Sequence, residues 1–111
     1  MPVRHTSLSQ QPVFEALADP TRRRLLDMLA DTELPVNDLA RRFSVTRPAI
    51  SQHLRVLRRA GLVRETRVGR ERRYRLRAVG LRGVHAWIHQ YEAFWDTRLR
   101  QLGDTLDRAD V

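Results

Sequence analysis

The sequence predicts a mainly α-helical fold that carries a single β-hairpin and ends in one long helix. Segments before residue 61 repeat apolar residues at helical spacing behind capping residues, and two short β-prone runs flank Gly69-Arg70-Glu71. An apolar seam then recurs every three or four residues from Leu81 to Leu106. A chain of 111 residues has room for one domain, taken as 1–111, with a modest core.

Residues 1 to about 8 read as a flexible start, and His5 within them is assigned no role. A first helix is expected from Pro12, a good first-turn residue, to Ala18, with Val13, Phe14 and Leu17 as apolar contacts. Asp19 as N-cap and Pro20 in the first turn open a second helix over about Thr21 to Ala30, which turns Leu25, Leu26 and Leu29 inward. After a loop from Asp31 to Leu34, Pro35 opens a short third helix that ends near Phe43 and buries Leu39 and Phe43. Ser44-Val45 is the turn into a fourth helix, capped by Thr46 and ended by Gly61, the residue best suited to a left-handed C′ position. Leu62 to Val68 and Arg72 to Leu76 form the hairpin, and a last helix continues from about Gly80 to Arg108, roughly 40 Å at 1.5 Å per residue.

Charge is distributed unevenly along this framework. Between Arg41 and Arg77 lie thirteen of the twenty-one arginines and only two acids, Glu65 and Glu71, a local charge of +11. The other eight arginines and eleven acids sum to −3, which recovers the net charge of +8. A field this concentrated faces a polyanion, which leaves nucleic acid, an anionic membrane surface or an acidic protein as partner. There is no lysine; arginine suits bidentate and minor-groove contacts, although a GC-rich genome gives the same bias.

The absence of cysteine excludes disulfides, thiolate metal sites and thiol redox sensing. No stretch approaches the roughly 18 apolar residues of a membrane span, and Met1-Pro-Val-Arg-His-Thr-Ser7 lacks the apolar core of a signal peptide. The expectation is a soluble cytoplasmic protein, associated with the bacterial nucleoid when bound.

Projected at 100° per residue, the fourth helix gathers Ile50, Leu54 and Leu57 in one stripe. Its opposite side presents Pro48, Gln52, Arg55 and Arg59, with Arg47 and Ser51 at the margin. Ser51 and Gln52 are neutral donor–acceptor groups in the half of the helix that would point at base edges, and the flanking arginines would hold phosphates. The simpler reading, arginines solvating a surface helix, does not explain the short preceding helix, the tight turn and the basic hairpin. From Arg64 to Arg77 that hairpin holds seven arginines in fourteen residues. As the wing of a winged helix-turn-helix, it would carry Arg67, Arg70 and Arg72 to an adjacent minor groove or its phosphates. Its charges would also discourage strand pairing at an exposed edge, but one or two would suffice for that. The expected layout is a helix-turn-helix at about 36–60, a wing at about 62–77 and a C-terminal helix at about 80–108.

Ala16-Leu-Ala-Asp-Pro-Thr-Arg-Arg-Arg-Leu-Leu-Asp-Met-Leu29, Asp38-Leu-Ala40, Ser51-Gln-His-Leu-Arg-Val-Leu57, Ala60-Gly-Leu-Val63 and Gly69-Arg-Glu-Arg-Arg-Tyr-Arg-Leu76 together resemble the ArsR-type winged-helix repressors. The resemblance spans about residues 12–95 and rests on the order and spacing of several motifs. It implies a dimeric bacterial repressor that binds a palindromic operator in double-stranded DNA, with the first and last helices forming the dimer interface. The site residues expected for DNA are Thr46, Arg47, Pro48, Ser51, Gln52, Arg55, Arg67, Arg70 and Arg72.

Members of that family often release DNA on binding metal. One known arrangement places cysteines on the third helix, where this chain has Glu33-Leu-Pro-Val-Asn-Asp38. A second pairs an Asp-x-His with a His-x-x-His or His-x-x-Glu on the last helix; here only His89 and Glu92 match, while Leu76 and Ala78 stand where the other half belongs. No metal and no cofactor are expected, and the branch is one without the usual metal sites. The alternative is a metal-responsive repressor that uses His85, His89 and Glu92. The simpler reading makes both histidines interface residues beside Trp87, Ile88 and Tyr91.

The seam of the last helix comprises Leu81, Val84, Ile88, Tyr91, Trp95, Leu99, Leu102 and Leu106, widened by Trp87 and Phe94. It persists past what a small core absorbs, so Phe14, Leu81, Ile88, Tyr91, Trp95, Leu99 and Leu102 are expected in a homodimer interface. An extension of the chain's own core is the second reading, and lining a small effector pocket is another use for Tyr91-Glu-Ala-Phe-Trp95. Gly83 and Gly103 weaken this helix locally. His53 is expected to pack or to touch phosphate. No Ser–His–Asp set, glycine-rich phosphate loop or carboxylate pair supports catalysis. The competing function from another class is a winged-helix module that docks on an acidic protein. A membrane-surface peptide ranks third, because the arginines do not oppose one continuous apolar helix face.

Overall fold

Backbone capping sets the first half of the chain. In the computed structural model, which describes residues 10–109 and the side chains of 10–103, Gln11–Leu17 form α1 and Pro20–Leu29 form α2. Between them, Asp19 in extended conformation accepts hydrogen bonds from the backbone N–H groups of Thr21 (2.8 Å) and Arg22 (3.1 Å), and Pro20 needs no partner for a missing N–H. The expected start at residues 1–8, His5 and the side chain of Leu106 lie outside the described residues.

The third helix differs from expectation. It runs only over Val36–Arg41 (α3), and Pro35 is its N-cap. Leu34–Pro35 instead form a short strand, β1, with Leu34 opposite Tyr74 and Pro35 opposite Arg73. The extended backbone of Pro35 (φ −74°, ψ 154°) serves both helix cap and strand, and an edge strand tolerates the missing donor.

α4 spans Arg47–Arg59 behind Thr46, whose hydroxyl accepts from the Ala49 N–H. Its end is a Schellman turn: Gly61 at φ +79° donates to the Arg58 carbonyl, and Leu62 donates to the Leu57 carbonyl at 3.0 Å. Leu57 and Leu62 are both fully buried, so the chain leaves α4 at a fixed angle and enters the hairpin. β2 (Val63–Val68) and β3 (Glu71–Leu76) pair antiparallel around a two-residue tip, and the sheet order is β1-β3-β2. The tip is Gly69-Arg70, one residue shorter than expected, because Glu71 pairs with Val68. Gly69 at φ +63° is the first central residue, where a two-residue hairpin of primed type needs glycine.

The core gathers Leu25, Leu29, Leu39, Ile50, Leu54, Leu57 and Leu62, each without appreciable exposure, and Val13, Ala16, Val63, Tyr74 and Val84 close it. The expected single C-terminal helix is broken. A 3₁₀ turn at Ala78–Leu81 leads into α5 (Arg82–His89), and α6 (Glu92–Ala109) follows. The break at Gln90-Tyr91 contains neither Pro nor Gly. The Gln90 side-chain amide donates to the Trp87 carbonyl at 2.9 Å, and the Tyr91 N–H turns to the Ile88 carbonyl, a tightened last turn. Trp87 also meets Phe14 edge-on at 5.4 Å and Tyr91 at 5.5 Å. Glu92 then sits in the first turn of α6, where the helix dipole favours a carboxylate.

Burial alone pushes the Asp19 carboxyl up, but the Arg22 and Thr21 N–H groups, with the charges of His53 and Arg22, outweigh it and hold the group below its ordinary 3.8. A depressed folded pKa stabilises above the unfolded value and is lost as pH falls through the folded one. Asp19→Ala should therefore cost about 1 kcal/mol at neutral pH. Denaturant unfolding should show the gap from wild type closing in acid buffer well below pH 3.8; a pH-independent gap would contradict this account.

Candidate nucleic-acid interface

The burial of Ile50, Leu54 and Leu57 fixes the rotation of α4, so Arg47, Pro48, Gln52, Arg55, Arg58 and Arg59 are exposed and Ser51 lies half-buried beside them. The Arg55 guanidinium donates to the Gln52 side-chain oxygen at 3.3 Å, which places a neutral amide and a cation on one patch. Thr46 is exposed as well as capping.

On the hairpin, Val63, Glu65 and Arg67 of β2 share a face with Leu76, Tyr74 and Arg72 of β3. That face turns toward α4: Val63 and Tyr74 are buried, Glu65 and Leu76 half-buried, Arg67 and Arg72 exposed near the tip. Between α3, α4 and the hairpin lies a cleft of about 390 Å³ that brings together Arg47, Ser51, Arg55, Arg70 and Arg72 of the expected site. Thr46, Pro48, Gln52 and Arg67 do not line it. The first three stand at the start and outer side of α4, and Arg67 stands opposite Arg72 on the hairpin.

Sequence reasoning missed the grouping of Glu65 with Arg58 and Tyr74. Glu65 accepts from Arg58 of α4 at 2.8 Å and from the Tyr74 hydroxyl at 3.0 Å, and the Arg72 Nε stands 4.0 Å from its other oxygen. The one available clue was that Glu65 is one of only two acids in the +11 segment. His53 is half-buried against Arg22 (3.3 Å), whose guanidinium also donates to the Ala16 and Glu15 carbonyls at the end of α1. It therefore ties α4 to α1 and α2. His85 and His89 stack at 6.0 Å, and His89 pairs with Glu92 at 2.9 Å across the helix break. Among the described residues, no three His, Asp or Glu side chains are grouped to hold a metal ion, and no helix is long and apolar enough to cross a membrane.

Burial pushes the Tyr74 hydroxyl above its ordinary 10.0, and its hydrogen bond to Glu65 and that residue's charge act in the same direction. A raised folded pKa stabilises fully below the unfolded value and is lost as pH rises through the folded one. Denaturant unfolding across an alkaline series should show wild type losing stability above pH 10.0. Tyr74→Phe should lack that component; an unchanged alkaline slope in the variant would exclude Tyr74 as its source.

The profile described as "Bacterial regulatory protein, arsR family" matches residues 19–65, from the Asp19 cap to Glu65. The chain is similar to the HTH-type transcriptional regulator Rv2034 of Mycobacterium tuberculosis, 38% identical over 102 residues that cover 92% of each chain. It is also similar to the transcriptional repressor SdpR of Bacillus subtilis, 36% identical over 76 residues covering 68% of this chain and 84% of SdpR. Among solved structures, the ArsR-like transcriptional regulator from Rhodococcus sp. RHA1 superposes with a TM-score of 0.75 at 35% identity, covering 94% of this chain and 95% of that one. A helix-turn-helix, a basic wing and similarity along nearly the whole chain thus lead to one assignment: this protein belongs to the arsR family of bacterial regulatory proteins and is a DNA-binding transcriptional regulator of the winged helix-turn-helix type.

Proposed function

We propose that the chain acts as a homodimeric repressor on a palindromic operator, without metal sensing. The cationic cleft joining α4 to the wing carries this reading, because it aligns Arg47, Arg55, Arg70 and Arg72 along one surface beside Gln52. Two copies would set their α4 helices in successive major grooves about 34 Å apart. Gln52 and Ser51 read base edges, Arg47 and Arg55 take phosphate or guanine, and the wing arginines reach the minor groove or its phosphates. The name of SdpR supports repression as the sense of regulation.

The apolar seam supports the dimer. Its first members turn to the chain's own core: Val84 is buried, Leu81 is half-buried, and Phe14 is half-buried beneath Trp87. From the helix break onward it faces outward, with Trp95 51% and Leu99 62% exposed beside Ile88, Tyr91, Phe94 and Leu102. A stripe of this kind on an 18-residue helix is a surface for a second copy.

Arg70→Ala should weaken binding to every duplex and make the salt dependence shallower by about one phosphate contact per subunit. Gln52→Ala should instead lower discrimination between operator and random DNA by about 1–3 kcal/mol. Fluorescence anisotropy over a salt series separates the two effects, and equal losses on both duplexes for Gln52→Ala would refute its role.

Leu99→Arg adds charge at a side chain that is largely exposed in its own chain. Sedimentation should show a dimer for wild type and a monomer for the variant, with far-UV circular dichroism unchanged and operator binding weakened. A Leu99→Arg dimer as tight as wild type would remove α6 from the interface.

A further inference from the structure

The half-buried carboxylate in the basic segment joins two elements that touch DNA. Glu65 is only 17% exposed at its side chain, and it receives Arg58 from α4, Tyr74 from the middle of β3 and, more loosely, Arg72 from near the wing tip. The other acid of the segment, Glu71, lies on the opposite face and pairs with Arg73 at 3.1 Å. Beyond the Glu65–Tyr74 pair the ribbon continues for three more residue pairs, Thr66–Arg73, Arg67–Arg72 and Val68–Glu71. All the side chains in those pairs are exposed except Arg73, which is half-buried. Among the described residues, the Glu65–Arg58 pair is thus the outermost ion pair between ribbon and helix.

Two forces would move the ribbon in its absence. Beyond the pairing of β1 with Tyr74 and Arg73 the ribbon is two-stranded, and a two-stranded hairpin has little stability of its own. Arg67 and Arg72 stand directly opposite each other on the inner face, a like-charge pair that pushes strands apart. The Glu65 carboxylate opposes both, because it holds Arg58 through a charge-assisted hydrogen bond and attracts Arg72 from the same side.

We propose that Glu65 is a positioning residue that couples the wing to the reading helix, so that both approach DNA as one unit, and that by occupying Arg58 it withholds that guanidinium from the phosphates. This rests on α4 and the wing being the DNA-contacting elements. Specificity follows from the coupling: a wing at fixed distance from α4 meets its groove only when the base step under α4 is in register. The withheld arginine acts in the same sense, because a cation freed from Glu65 would add grip on any sequence alike.

The test uses the full chain. A randomised duplex pool is first selected with wild type, and the preferred duplex and a scrambled duplex are then titrated across a salt series. Glu65→Gln should bind the scrambled duplex more tightly, with a salt slope steeper by about 0.9 for each guanidinium released to a phosphate. The ratio of preferred to scrambled affinity should fall about tenfold, the scale of one mismatched base pair. Arg58→Gln cuts the same tie from the exposed helix side: the ratio should fall as far, but with no steepening of the slope. That difference separates coupling from charge release and keeps the proposal testable if Glu65→Gln folds poorly. Wild-type ratio and slope in both variants would overturn the coupling alone. Failure of wild type to enrich any sequence would overturn the operator reading together with it.

Discussion

Complete burial of Ile50, Leu54 and Leu57 fixes how α4 is rotated, and the surface proposed to meet DNA is what remains on the other side. Three residues at positions i, i+4 and i+7 leave a helix one face for the core. Arg47, Gln52 and Arg55 are exposed together because the apolar stripe admits no other rotation. The Schellman turn at Gly61 carries the constraint onward: Leu57 and Leu62 are buried against one core, so the hairpin leaves α4 in a single direction. The reading helix and the wing are thus held at their base by hydrophobic packing and a left-handed glycine.

Packing at the base cannot control the far end of a charged ribbon. The field that attracts DNA also repels itself, and a chain with +11 in one third of its length needs compensation where its elements must stay together. Two acids supply it within that third. Glu71 meets Arg73 on the outer face and Glu65 meets Arg58 and Arg72 on the inner one, so each carboxylate steadies one side of the hairpin. Exposed ion pairs of the Glu71 kind contribute little to stability. The half-buried Glu65, with a phenol and a guanidinium both donating to it, is better placed to define geometry.

The C-terminal region divides the same apolar pattern between two uses. Up to Trp87 the seam completes the domain, and the edge-to-face contacts among Phe14, Trp87 and Tyr91 end that part. Beyond Gln90 the stripe stays exposed apart from the Arg98 guanidinium over the Phe94 ring, and the proposed dimer would bury it. The rest of the sequence sums to −3, so it lacks the charge that would drive two arginine-rich segments apart.

Local rules determined much of this protein in the sequence itself. Asp19-Pro20, Thr46 and Gly61 announce helix ends because capping is settled within a few residues. The arginine-dense runs around Gly69 announce a charged hairpin for the same reason. Only the tertiary structure decided the rest, because it depends on partners distant in the chain. Leu34–Pro35 became a strand because β3 lay alongside to pair with it. The last helix broke at Gln90 where Trp87 docked on Phe14, a contact between the two ends of the domain. Periodicity showed that Leu81 and Leu99 shared a seam, but only packing could send one to the core and leave the other outside. Glu65 looked like a stray acid among arginines, and the fold alone brought Arg58, Arg72 and Tyr74 around it.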